Sequence, residues 1–419
     1  MAATIPTEPR ENAAGAARPL IRRYWSVCAL YGFAPSFIFA VYPLFLRARG
    51  LNQFQTNLVA ASYLVVVFLT DVPTGAFADA VGRRAAVVIG CAIHIVAFML
   101  YFVSHHYWQF IVAEILEGFG TTFANGPIDA WMVDSLDAAG FEGPKDTIFS
   151  RQFQLMRITA MSGALVGAYV AQIDIALPFL LGAIAWTAAG VGAFILMERG
   201  AGRRRPTIYI AAEIRRRAID SARLGFADRN LRLLSIAALI SASVWTAWWL
   251  EWQVYFTRGF DARISIVGWI FVAITLMQMA GAEVAARMPW AWERRSSFVA
   301  AMSVIASTAL IAAGLAGARM WFALAAVMLA HLASGAIGPM YAAWYNESIE
   351  GENRATLLSF GSTMATLGGT VGQPVQGKLV DVLGVGVTWQ LAGLVSMTQA
   401  LCYFALGRPH PARAASSTQ

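Results

Sequence analysis

The chain has 419 residues, 58% of them hydrophobic and 13% charged, with a formal net charge of +7. A soluble domain carries about 25% charged residues. The composition therefore excludes disorder and fibrous repeats, and it leaves a soluble globular fold as a poor second reading.

Apolar runs of about 20 residues recur along the chain, the length a helix needs to cross roughly 30 Å of hydrocarbon. They do not alternate as barrel strands would. They predict twelve spans at about 24–46, 54–76, 85–104, 107–133, 152–172, 175–197, 231–256, 264–286, 297–316, 319–345, 355–379 and 386–406. Residues 1–23 and 408–419 read as disordered tails, and residues 1–20 contain no cleavable leader. With both tails placed in the cytoplasm, 24 of the 31 Lys and Arg residues fall inside and six outside, which fixes the orientation. The chain is thus an expected multi-pass protein of the inner (plasma) membrane, in contact with the lipid bilayer.

Span 1 carries Tyr31, Phe37, Phe39 and Tyr42. Between spans 2 and 3 runs Gly75-Ala76-Phe77-Ala78-Asp79-Ala80-Val81-Gly82-Arg83-Arg84. A tight turn between antiparallel spans needs glycine where the backbone turns or approaches a neighbour. Asp79 is placed to accept hydrogen bonds at a helix N-terminus, and Arg83 and Arg84 hold the turn in the cytoplasm.

Ionisable residues inside spans are expensive, so each is a functional candidate. Span 4 offers Glu114, Glu117 and Asp129, and span 5 offers Arg157. Glu114 and Glu117 share one helix face, an arrangement suited to loading and releasing a proton. Asp129 and Arg157 are expected to pair, for structure or for the transport cycle. His94 and His331, single intramembrane histidines, are expected to pack or hydrogen-bond rather than bind a ligand.

A basic connection over about 199–230 divides the chain into halves at 24–198 and 231–407. Ile210, Ile214, Ala218 and Ala222 would make it an amphipathic helix on the inner membrane surface. A solvated linker explains its charge without nucleic acid. Span 7 then concentrates Trp245, Trp248, Trp249, Glu251, Trp252, Gln253, Tyr255 and Phe256. These form either an interfacial belt or an aromatic wall with polar anchors for a bulky ligand.

The halves echo each other. Gly126-Pro127 in span 4 matches Gly338-Pro339 in span 10, and Gly163 and Gly167 in span 5 match Gly368, Gly369 and Gly372 in span 11. Six-plus-six duplication marks two-bundle transporters with a substrate site between the halves. The second half lacks a clean copy of the loop: it has Gly281 and Arg294-Arg295 but no aspartate in register.

The stretch from Gly75 to Arg84 resembles the loop signature of the major facilitator superfamily, and the twelve-span plan covers the whole chain in the same way. The resemblance implies an all-α integral membrane fold of two six-helix bundles related by a pseudo-twofold. It also implies that the loop latches the halves together, with Asp79 and Arg83 linked to Asp134 at the inner end of span 4. Glu114 stands where many members carry an arginine, and span 5 lacks the Gly-Pro pair of the drug:proton antiporters.

No nucleotide-binding loop, metal cluster or cofactor motif is present, so an ion gradient is the expected energy source. The chain is expected to be no enzyme but a monomeric, proton-coupled exporter of a moderately hydrophobic small molecule. Tyr31, Phe37, Tyr42 and the span 7 aromatics would line its cavity. Uptake or lipid flipping is the alternative within transport, and a sensor or membrane-embedded enzyme the alternative outside it.

Overall fold

In an apolar medium each segment must satisfy its own backbone N–H and C=O groups, so long apolar runs become helices. The computed structural model describes residues 8–198, 223–349 and 354–406, and every element named among them is helical. Span 1 becomes α1 (Glu8–Phe33), a 3-10 turn (Pro35–Ile38) and α2 (Tyr42–Ala48). Pro35 and Pro43 fall at the break, where the N–H that proline lacks would otherwise have bonded back to the preceding turn.

Spans 2 to 6 are α3 (Gln53–Val81), α4 (Arg83–Val103), α5 (Tyr107–Ala138), α6 (Lys145–Val170) and α7 (Leu177–Leu196). Span 7 is also broken, into α8 (Arg229–Trp248) and α9 (Trp252–Gly259). Then follow α10 (Ile264–Ala286), the short α11 (Pro289–Glu293), α12 (Arg295–Gly314), α13 (Met320–Glu347) and α14 (Arg354–Leu383). Span 12 comprises α15 (Val385–Met397) and α16 (Gln399–Leu406).

Helix therefore stands, among the described residues, at each of the twelve expected positions. Eight of these segments, with spans 1 and 7 each taken whole, are long and apolar enough to cross a membrane. The positions of α5, α6, α14 and α15 with α16 fall short of that measure, α5 carrying three carboxylates in its span and α15 being short. One expectation needs correction: the tail placed over 1–23 is helical from Glu8 onward. Ala13, Ala14, Ala16 and Ala17, strong helix formers, carry span 1 backwards. The expected linker helix over 199–222 and the tail over 408–419 lie outside the described residues.

The described residues fall into two compact units. One holds those of Met1–Tyr42 and Leu69–Ile208, the other those of Pro43–Phe68 and Tyr209–Gln419. The division differs from the expected 24–198 and 231–407 at one place: Pro43–Phe68 belongs with the second unit. The reason is local. Asp381 of α14 accepts the N–H groups of Gln53 (2.9 Å) and Phe54 (2.8 Å), capping the N-terminus of α3, and Arg47 lies 3.8 Å from it.

Glycines set the close helix contacts inside each unit, as expected where lipid supplies no hydrophobic drive. In the first, Gly90 and Gly120 bring α4 and α5 together, and Gly163 and Gly167 admit the Ser36–Phe37 turn against α6. In the second, Gly281 and Gly335 join α10 to α13, while Gly368 and Gly372 seat α14 on the carbonyls of Leu239 and Ser243 in α8. The matching glycines of spans 5 and 11 thus do matching work, against span 1 and span 7 respectively.

Candidate functional site

The loop between α3 and α4 is closed by Gly82 at φ 106°, a backbone region that L side chains avoid. Arg83 meets Asp79 at 2.6 Å and Asp134 at 3.6 Å, so the expected three-residue cluster forms within the first unit. Arg84 donates to the carbonyl of Phe194 (3.2 Å) and lies over that ring. Gly75 is different: it sits within α3 with open space around it, so no close contact in this structure requires it.

The second unit has a counterpart that the sequence did not reveal. Arg295, at the start of α12, meets Glu347, at the end of α13, at 2.8 Å. Arg83 and Asp134 hold the same positions on α4 and α5. The only sequence signal was the Arg294-Arg295 pair, because the acidic partner lies 52 residues away.

The interior of the first unit gathers two carboxylates. Glu114 is 8% exposed, and its Oε2 accepts the hydroxyls of Tyr42 (2.8 Å) and Tyr101. The two hydroxyls are themselves 3.1 Å apart. One helical turn on, Glu117 Oε2 lies 2.7 Å from His94 Nδ1. The His94 ring stacks on Trp186 at 3.9 Å, and Tyr31 meets the same indole edge-on at 4.9 Å. Gly120 makes room for this histidine, since a Cβ there would sit 3.1 Å from the ring. His94 thus hydrogen-bonds, one of the roles expected of it, but its carboxylate partner was hidden by the distance along the chain.

Asp129 accepts the Tyr24 hydroxyl at 2.7 Å, while Arg157 lies over Phe153 at 5.0 Å. The expected Asp129–Arg157 pair is not among the described ion pairs. A tyrosine from α1 reaches the carboxylate instead.

In the second unit the span 7 aromatics are mostly interior. Trp248 and Trp252 are fully buried and stack at 6.2 Å, Trp248 and Trp245 flank His331, and Trp249 packs on Phe271. Protein surrounds Trp248 and Trp252, whereas a belt residue meets headgroups. Glu251 lies in the break between α8 and α9 at 0% exposure and accepts Trp389 Nε1 at 2.8 Å. Gln53 Nε2 takes the carbonyl of Leu250 that the break leaves over, at 2.9 Å. Gln253 Nε2 turns back to the carbonyl of Trp249 at 3.0 Å. Of the remaining expected cavity residues, Phe37 packs on Phe33 and Tyr42 on Tyr101, so with Tyr31 they fill the first unit.

Residues 23–130 match the family model described as sugar (and other) transporter. The chain is 22% identical over 259 residues to the uncharacterized MFS-type transporter YxaM of Bacillus subtilis (strain 168), covering 59% of this chain. That match spans 61% of the length of the curated relative. Among solved structures it resembles the nucleoside transporter NupG, with a TM-score of 0.72 at 13% identity over 94% of this chain and 100% of that one. A POT family transporter in complex with 5-aminolevulinic acid gives 0.71 at 13% identity, covering 92% and 96%. The human organic anion transporter MFSD10 gives 0.64 at 14% identity, covering 92% and 99%. With helix at the twelve expected positions, the chain shares the fold of these transporters, and its loop from Gly75 to Arg84 resembles that of the major facilitator superfamily.

Proposed function

We propose that the chain is a secondary active carrier, working by alternating access and driven by protons, that exports a moderately hydrophobic small molecule. The observation that carries the coupling is Glu114: a buried carboxylate whose charge is met by two tyrosine hydroxyls and, among the described residues, by no ion pair. An intramembrane carboxylate costs several kcal/mol, and hydroxyl donors offset part of that cost. A proton on Glu114 removes the charge and weakens its hold on Tyr42, the first residue of α2. Loading and unloading would therefore act on the break in span 1. Glu117 with His94, one turn on, offers a second position for the proton, and Asp129 with Tyr24 a third.

The cluster of Asp79, Arg83 and Asp134 is the proposed latch of the transport cycle. The aromatic density beside both helix breaks favours an apolar or aromatic cargo, which such walls hold by area and edge contacts. A monomer in the inner membrane with both termini in the cytoplasm fits the distribution of basic residues.

The test is accumulation of an ethidium-like aromatic cation in inverted vesicles under an inside-acid gradient, for wild type and Glu114→Gln. Gradient-driven accumulation that disappears in the variant is the expected result. Accumulation that survives would move coupling to another carboxylate, and no accumulation by folded protein would overturn the exporter reading.

A further inference from the structure

We propose that the buried polar cluster around Glu251 is a monovalent cation site of the second unit, receiving a proton or a sodium ion between the side-chain oxygens of Glu251, Gln53 and Gln373. The case rests on three buried side-chain oxygens that no donor reaches. Gln53 Nε2 spends its hydrogens on Asn57 Oδ1 and the Leu250 carbonyl, both at 2.9 Å. Asn57 Nδ2 donates one hydrogen to the Gln373 carbonyl at 2.8 Å and its amide also lies beside Glu251, while Trp389 Nε1 donates to Glu251 Oε2 at 2.8 Å. What remains is acceptors: Glu251 Oε1, Gln53 Oε1 and Gln373 Oε1 are all buried without a donor. Because the Gln53 nitrogen is fully used, its amide cannot be turned to cure the deficit.

A buried acceptor without a partner is a penalty that folded proteins rarely tolerate, and a carboxylate oxygen is the worst case. A positive charge placed among them would answer that deficit. A proton carried on Glu251 Oε1 becomes the missing donor to a neighbouring amide oxygen, and a sodium ion, which takes oxygen ligands, binds them directly. The indoles of Trp248, Trp252 and Trp389 surround the site with low-dielectric walls.

Several ionisable groups on the packed elements have partners of their own. Asp381 of α14 caps α3 and faces Arg47 of α2, which feels Arg258 of α9. Tyr255 of α9 packs at a tilt on Trp389 at 4.5 Å and donates to the Ala313 carbonyl, and His331 of α13 meets Trp248 at 4.5 Å and Gln278 at 3.1 Å. Sequence reasoning placed Glu251 in a substrate wall. Its partners, drawn from α3, α14 and α15, place it instead where a bound charge would tie three helices to the break in span 7.

The role in coupling rests on the carrier reading above, but binding does not, so the test reads binding on purified protein with no transport. Intrinsic tryptophan fluorescence and melting temperature are followed while sodium chloride replaces choline chloride at fixed alkaline pH, and then across pH in sodium-free choline buffer. Wild type should respond saturably in one titration or the other, which identifies sodium or the proton. Glu251→Gln should abolish that response. Trp389→Phe keeps the carboxylate and should move the midpoint about tenfold, the effect of one charge-assisted hydrogen bond. It carries the test if Glu251→Gln does not fold. A wild type that responds to neither cation, an unchanged response in Glu251→Gln, or an unmoved midpoint in Trp389→Phe overturns the site. A response here alongside failed vesicle transport would break the carrier reading and leave this site standing.

Discussion

Spans 1 and 7 are both broken helices, and the breaks are made in different ways. In span 1 Pro35 and Pro43 fall at the interruption, and the nearby carboxylate, Glu114, is supplied from another helix. In span 7 no proline intervenes; Glu251 sits in the break itself, and the leftover Leu250 carbonyl is taken by Gln53. A glycine pair packs against each broken span: Gly163 and Gly167 on the Ser36–Phe37 turn at the first break, Gly368 and Gly372 on Leu239 and Ser243 of α8, ahead of the second. The lesson is that a break in an apolar medium requires two things, new partners for the freed backbone and a neighbour able to come close. Which residues supply the partners is open to variation, whereas the close approach of a glycine face is common to both.

That conclusion can be broken most severely at the glycines. A Cβ at Gly167 or Gly372 would collide with a backbone carbonyl, of Phe37 and Ser243 respectively, and backbone yields little. Gly167→Val and Gly372→Val should each cost about 3 kcal/mol or more. The readout is the loss of monodisperse protein on size exclusion and a lowered melting temperature. Gly338→Ala, where nothing lies within 4 Å, should leave both nearly unchanged. If the two valine variants behaved like the Gly338 control, the close approach would not be what the two breaks share.

The same contrast explains how far the sequence could be read. The spans were legible because hydropathy over about 20 residues is decided locally. The Asp79–Arg83–Asp134 cluster was expected because the loop from Gly75 to Arg84 resembles a family signature, and the glycines were legible because they recur at matching places in the two halves. Glu251 could be recognised as costly, but its surroundings could not. Gln53, Asn57, Gln373 and Trp389 come from three distant spans, and no short pattern links them. Asp129 went to Tyr24 rather than Arg157 because a tyrosine hydroxyl on a neighbouring helix looks like packing until its direction is known. The helix running back to Glu8 was hidden for the opposite reason, since polar side chains masked a stretch of good helix formers.

A finer comparison concerns the two buried carboxylates. Glu114 has two hydroxyl donors, while Glu251 is held by the Trp389 indole N–H at 2.8 Å with the Asn57 amide beside it. Removing that close indole donor from the more deeply buried charge should cost more than removing one of two hydroxyls. Trp389→Phe is expected to destabilise by about 2 kcal/mol and Tyr42→Phe by about 1 kcal/mol, measured as shifts in chemical or thermal unfolding of protein in detergent. The double variant Tyr42→Phe with Tyr101→Phe should then lose more than the sum of the single changes, because the second removal strands the charge. Equal costs for Trp389→Phe and Tyr42→Phe would mean that the two sites are supported alike.

The smallest effect on stability is expected at the Arg-rich ends. Arg83 and Arg295 hold matching positions, each at the start of one helix and paired with an acid at the end of the next. All four partners are partly exposed, and screened pairs of this kind contribute under about 1 kcal/mol. Arg83→Gln and Arg295→Gln should therefore barely move the melting temperature. They differ in what else the arginine holds: Arg83 also meets Asp79 within its own turn, whereas Arg295 packs over Trp344. If the pairs act as latches, Arg83→Gln should change the transport rate several-fold, with Arg295→Gln the milder of the two, since ring contact survives loss of an ion pair better than a second ion pair does. Equal rate changes would assign the two units equal shares of the latch. A large fall in stability with no change in rate would make both pairs structural, and would remove the loop between α3 and α4 from the transport cycle.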